Sequence, residues 1–189
     1  MKPIATTRSA TGIPTGRLAV WWVIASEIVI FGGLLASYVM HRIGHPEFGG
    51  YAAHTNTAAG AINTFVLLTS SLCAVLAHEA AEEKDGARAA RLLWLTILGG
   101  AIFLGVKGTE WTHEIRHGFT ITTNTFWSFY YTAAGLHALH VIAGMVVMAI
   151  VSFDARKNRE LQRVELVGNY WHFVDMVWIF LFPLLYIAK

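Results

Sequence analysis

From Phe126 to Phe153 the chain runs without a single Asp, Glu, Lys or Arg. That is longer than the roughly 20 apolar residues with which an α-helix crosses the hydrocarbon of a bilayer. Such a segment finds no water to satisfy its backbone, and a helix pairs every peptide group within itself. Four other runs meet the same requirement. One extends from about Leu18 to Tyr38, interrupted only by Glu27, and another from about Ala58 to Ala77 with no charge. The run from Leu92 to Val106 is short and must continue through Lys107 and Glu110 to reach the far surface near His113. The last, from about Leu166 to Ala188, holds His172 and Asp175. The expected helices cover about 17–42, 58–79, 91–113, 126–153 and 166–188, joined by short polar connections. The fold class is therefore all-α, an integral membrane bundle of five transmembrane helices.

Composition agrees with lipid as the solvent. The 189 residues are 55% hydrophobic and 14% charged, whereas a soluble domain carries about a quarter charged residues. A net charge of +2, with Lys and Arg confined to connections, argues against a nucleic-acid partner. Cys73 is the only cysteine, which excludes an intrachain disulfide, a cysteine-based zinc site and a covalent haem attachment. Residues 1–16 are polar and small and lack the apolar core of a signal peptide. They read as an N-terminal arm, with residues 17–189 forming one membrane domain and no soluble module.

Orientation follows from the basic residues. With the N-terminus cytoplasmic, the inner side receives Lys2, Arg8, Arg17, Lys84, Arg88, Arg91, Arg156, Lys157, Arg159 and Arg163, ten in all. Only Arg42, Lys107, Arg116 and Lys189 lie elsewhere. The expectation is a multi-pass protein of a bacterial cytoplasmic membrane, N-terminus in and C-terminus out. Trp21, Trp22, Trp94 and Tyr170 would mark the inner interface, and Trp111, Trp127, Tyr130 and Tyr186 the outer one. Gly32, Gly33, Ala36, Gly99, Gly100, Gly135 and Gly144 are places where helices can approach closely. The basic run Arg156, Lys157, Arg159 and Arg163 offers contacts to anionic lipid or to a partner subunit.

Ionisable residues inside spans carry the functional question, because a charge at the centre of a spanning helix costs roughly 2.5–3.5 kcal/mol on insertion scales. Glu27 lies about 15 Å along its helix from Arg17, at 1.5 Å per residue, near the midplane. Lys107, Glu110 and Glu114 share one helical face, where Lys107 and Glu110 can pair. His137 with His140, and His172 with Asp175, have the same three-residue spacing, so each pair is expected to point one way, into the bundle. Three readings compete. These groups serve as hydrogen-bonding contacts between helices; or they hold a metal or haem, as a membrane metalloprotein using His137, His140 and His172; or Glu27, unpaired and kept neutral by burial, exchanges protons or meets a lipid head group. Against the metal reading, the di-iron pattern needs Glu-x-x-His on each of two helices, and the spans hold it only once, as Glu110-Trp111-Thr112-His113 at the end of the third.

The segment Tyr170-Trp171-His172-Phe173-Val174-Asp175-Met176-Val177-Trp178-Ile179-Phe180-Leu181 resembles the C-terminal signature of subunit III of the haem-copper respiratory oxidases. Gly135-Leu136-His137-Ala138-Leu139-His140-Val141-Ile142-Ala143-Gly144 is a second match. Ser26-Glu27 with Phe31, Ile62-Asn63-Thr64 with Ser70-Ser71, and Gly108-Thr109-Glu110-Trp111 follow in order. The resemblance covers roughly residues 20–188. It implies a non-redox subunit of a proton-pumping terminal oxidase that reduces O2 to water in the respiratory chain. Haem and copper are then expected on partner subunits I and II, with none on this chain and no catalytic residues of its own. It implies support for the catalytic subunit, for bound phospholipid and for proton uptake. Glu27 matches the family's buried, carbodiimide-reactive glutamate. Asn63, Glu110, His137, His140, His172 and Asp175 become polar residues of the family motifs, placed for packing and hydrogen bonding. Many family members have seven spans; this chain is similar to the five-span bacterial form, beginning at the equivalent of the third helix. An accessory subunit of a bacterial nitric oxide reductase would share these motifs and is the alternative.

Overall fold

A computed structural model describes residues 14–188; most of the N-terminal arm therefore lies outside the described residues. Five long helices appear: α1 (Thr15–Gly44), α3 (Thr57–Glu82), α4 (Gly86–Arg116), α5 (Thr125–Ala155) and α6 (Gln162–Phe182), the last prolonged by a π-helical turn, Pro183–Ile187. All five are long and apolar enough to cross a membrane. The chain is a multi-pass membrane protein. A short helix, α2 (Phe48–Ala52), lies in the first connection, where only a polar loop is expected from the sequence. Its Phe48 and Ala52 are buried, so it is held by packing rather than by its own length.

The helix starts have local causes. Asn56, Asp85 and Asn124 each precede a helix, and their side-chain oxygens accept from the backbone N–H of Ala59, Arg88 and Trp127 at 3.0, 2.9 and 3.1 Å. These caps satisfy donors that the helix itself leaves free. The Asp85 cap also starts α4 at Gly86, ahead of the apolar run from Leu92 that announces it. At the other end, Pro183 lacks the N–H that would continue α6. The chain widens into the π turn, which closes with Ala188 N–H donating to Pro183 O at 2.9 Å.

Helices α3 to α6 form the bundle proper, with α3 and α4 in the most extensive contact, while α1 lies against α6 and touches α5 only briefly. Most of the α1 surface is open to lipid, including Trp21, Val29 and Met40. In hydrocarbon, helices gain little by hiding apolar side chains from lipid and associate through close packing and hydrogen bonds. Trp171 illustrates this. It is fully buried, and its ring fills space left by two glycines. A Cβ at Gly100 would come within 2.8 Å of the ring, and one at Gly144 within 2.9 Å. Its indole N–H donates to Ser70 Oγ at 3.1 Å, tying α6 to α3. Gly32 and Gly33, expected to be points of close approach, have nothing within 4 Å of an added Cβ, because they lie on the sparsely packed α1.

The aromatic residues divide differently from the interfacial belts expected. Trp21 and Trp22 are exposed, but Trp127, Tyr130 and Tyr186 are fully buried. The two tyrosines turn their hydroxyls and ring faces toward a buried charge.

Candidate functional site

That charge is Lys107, whose side chain is 2% exposed, as is that of Glu110. One turn of α4 sets the two on the same side, and Lys107 Nζ donates to Glu110 Oε2 at 3.0 Å. It also donates to the hydroxyls of Tyr130, at 3.1 Å, and of Tyr186. Tyr130 O–H in turn donates to Glu110 Oε1 at 2.9 Å. Four rings surround the ammonium, with centroids 4.9 Å (Tyr130), 5.2 Å (Tyr186), 5.5 Å (Trp111) and 5.6 Å (Trp178) away. An ammonium with all its donors used, facing π clouds on several sides, is compatible with a site that water does not reach. The hub joins α4, α5 and the π turn. Glu114, one turn further on, is 2% exposed and lines a cleft of about 220 Å³ with His54, Asn56, Thr109, Glu110 and His113.

Glu27 meets a partner that its sequence position does not announce. His140 Nε2 lies 3.0 Å from Glu27 Oε2, with both side chains 15% exposed. The distance suits an ion pair, while the direction is off the axis of an aligned hydrogen bond, leaving Glu27 Oε2 without one among the described residues. The other ring nitrogen, Nδ1, lies 2.8 Å from Leu136 O. A carbonyl only accepts, so Nδ1 carries a proton and donates. Nε2 is then the nitrogen that can give a proton to Glu27 or take one from it. Glu27 is therefore not the unpaired carboxyl expected. The contact joins α1 to α5, and Phe31 lies edge-on to the His140 ring at 5.3 Å between centroids.

His137 and His140 do not point one way, as their spacing suggests. His140 faces α1. His137 is fully buried against Phe103 of α4 and Trp178 of α6, with ring centroids 5.4 and 5.3 Å away. Neither of its nitrogens has a hydrogen-bond partner among the described residues. Three residues turn a helix by only about 300°, enough for two neighbours on one helix to address different partners. Asn63 is buried and donates to Phe103 O at a long 3.4 Å. His172 Nδ1 is paired with Ser71 Oγ across α6 and α3. Asp175 is buried, with both oxygens lacking aligned partners among the described residues. The three membrane histidines thus stand in separate surroundings. Among the described residues no three of His, Cys, Asp and Glu converge on one point.

At the opposite end, Arg163 pairs with Asp154 at 3.1 Å and Glu160 at 3.5 Å, while Arg156, Lys157 and Arg159 are exposed. Arg17 pairs with Glu165 at 2.7 Å, fastening the start of α1 to that of α6. Reasoning from sequence singled out Lys107, Glu110 and Glu114 but missed Tyr130 and Tyr186 as their partners. The available signal was a lysine inside a span, which needs acceptors from other helices.

Geometry and fold together define a class: a polytopic helical membrane protein with a buried ion-pair hub and polar contacts between its helices. Within that class, the chain belongs to the cytochrome c oxidase subunit III family, whose model matches residues 6–189. It is 35% identical over 173 residues to cytochrome c oxidase subunit 3 of Corynebacterium diphtheriae, covering 88% of this chain and 84% of that one. It is 34% identical over 170 residues to the protein of the same name from Thermostichus vulcanus, covering 87% and 83%. The quinol oxidase subunit 3 of Bacillus subtilis is 30% identical over 185 residues, covering 92% and 88%. The family is that of a subunit of a haem-copper terminal oxidase, which makes this chain part of a multisubunit membrane complex.

Proposed function

We propose that the chain is a non-redox companion of the catalytic subunit of a proton-pumping oxidase, holding phospholipid and supporting proton uptake. Haem and copper sit on subunits I and II in this reading, and electrons do not pass through this chain. The observation that carries the proposal is the Glu27–His140 pair, a carboxyl and an imidazole 3.0 Å apart inside the membrane. A proton can be held on either member, with Glu27 giving it to His140 Nε2 or receiving it back, without leaving a lone charge in hydrocarbon. Beside the pair, α1, α5 and α6 enclose an apolar groove of about 540 Å³ lined by Val20, Val23, Val147 and Tyr170, with Arg163 at its edge. The groove suits an acyl chain. The N-terminus is cytoplasmic in this proposal, consistent with the distribution of basic residues.

The test is to purify the complex through a tag on this chain, with and without Glu27→Gln. The expected result is co-purification with a haem-containing subunit and intact assembly of the variant. Proton uptake should slow and activity should decline sooner under continuous turnover. Purification with a nitric oxide reductase subunit instead of an oxidase would overturn the proposal. Unchanged uptake in Glu27→Gln would remove the proton role.

A further inference from the structure

The end of the bundle that carries the starts of α4 and α6 is rich in arginine, and several of these residues already have counter-charges. Arg88 pairs with Glu83 at 3.0 Å, Arg163 with Asp154 and Glu160, and Arg17 with Glu165. Arg91 and Arg156 have no carboxylate within ion-pair distance among the described residues. Arg91 Nε makes only a long 3.4 Å bond to Ala87 O of its own helix. These two flank one groove, of about 290 Å³, between the start of α4 and the end of α5. Its walls are Ala87 and Ala90 on one side and Phe153 on the other, with Trp94 below. The Trp94 and Phe153 rings meet edge to face at 6.2 Å. Small side chains leave the space, and two aromatic rings and two guanidinium groups without a carboxylate partner line it.

We propose that this α4/α5 groove binds one anionic phospholipid, its phosphodiester between Arg91 and Arg156 and part of an acyl chain against Ala87, Ala90 and Phe153. Guanidinium groups present forked donors that match phosphate oxygens. Basic pockets between spanning helices select anionic head groups by charge, and tryptophan favours the head-group level. A carboxylate-bearing protein partner would meet the same two arginines but would leave the apolar walls facing lipid, so the groove favours the amphiphile. The site is separate from the α1 groove, the two lying on different flanks of α5. It extends the lipid part of the proposed function to a second, charge-selective position, and it requires only that the chain be in a membrane.

The complex purified from its own membranes, delipidated in mild detergent, is titrated with phosphatidylglycerol or phosphatidylcholine, and bound lipid is counted by native mass spectrometry. Phosphatidylglycerol should bind preferentially. At roughly 1 kcal/mol per basic residue near the surface, Arg91→Gln/Arg156→Gln should weaken one phosphatidylglycerol site about 30-fold. Arg91→Lys/Arg156→Lys should retain most of it. Ala87→Trp, which fills the groove at an exposed position, should also weaken it while leaving both charges in place. Full retention of phosphatidylglycerol by the double Gln variant would overturn the site, as would equal binding of phosphatidylcholine. Displacement of the lipid by millimolar inorganic phosphate, with no effect of Ala87→Trp, would make it a bare anion site and overturn the lipid assignment. Lipid in the α1 groove should be unaffected by all three variants, so loss there alone would count against the proposed function and not against this site.

Discussion

Lys107→Met should be among the most damaging single substitutions in the chain. Methionine is close to lysine in length, so little volume is lost and the effect reports the charge. Removing the ammonium leaves Glu110, with 2% of its side chain exposed, holding only the donor of Tyr130. Breaking a buried ion pair from one side typically costs about 3–5 kcal/mol, because the remaining charge is uncompensated. The loss of three donated bonds and the ring contacts points to the upper part of that range. Glu110→Gln in the Lys107→Met background removes the stranded carboxylate and keeps an acceptor for Tyr130. That double variant should recover about 2–3 kcal/mol, the coupling expected for residues in one network. Reversible unfolding of the chain in mixed micelles, followed by circular dichroism, measures all four members of the cycle. Lys107→Met within about 0.5 kcal/mol of the parent, the scatter of an ordinary surface change, would refute the reasoning. So would a double variant as unstable as the sum of the singles.

Three further outcomes follow from the packing. Gly144→Val drives a side chain into Trp171 and should destabilise by about 1–3 kcal/mol through overpacking, whereas Gly32→Ala, in open space, should not destabilise in the same unfolding assay. Trp171→Phe removes the indole bond to Ser70 and should cost about 1–3 kcal/mol, since Ser70 is left buried without that partner; restoring stability with Ser70→Ala in that background would confirm the bond as the cause. Asn124→Ala deletes the cap of α5 and should cost about 1 kcal/mol, with hydrogen exchange accelerated in the first turn of that helix only.

The spans were legible because lipid imposes one simple rule on composition, and runs such as Phe126–Phe153 obey it without exception. Helix ends were less so. Asp85 starts α4 in polar sequence that hydropathy alone treats as loop, and α3 runs past its apolar stretch to Glu82. The pairing of Lys107 with Glu110 could be read from spacing, because both lie on one helix. The pairing of Glu27 with His140 could not, since it depends on how α1 leans on α5 across more than 100 residues of chain. The same gap in information placed Tyr130 and Tyr186 at an interface: their types suit a membrane boundary equally well, and only the position of the buried ammonium shows why they turn inward.

The hub around Lys107 also depends on parts of the chain far apart in sequence. On α4 itself Lys107 has only Glu110 and the Trp111 ring beside it, for Tyr130 follows on α5 and Tyr186 in the π turn after α6. The ammonium is completed only where the π turn brings its tyrosine back across the bundle. Without that tyrosine the α4 segment carries an under-satisfied charge pair and is poorly committed to its place among the other helices. The π turn therefore supplies the hub with its last partner, tying α4 and α5 to the segment that follows α6.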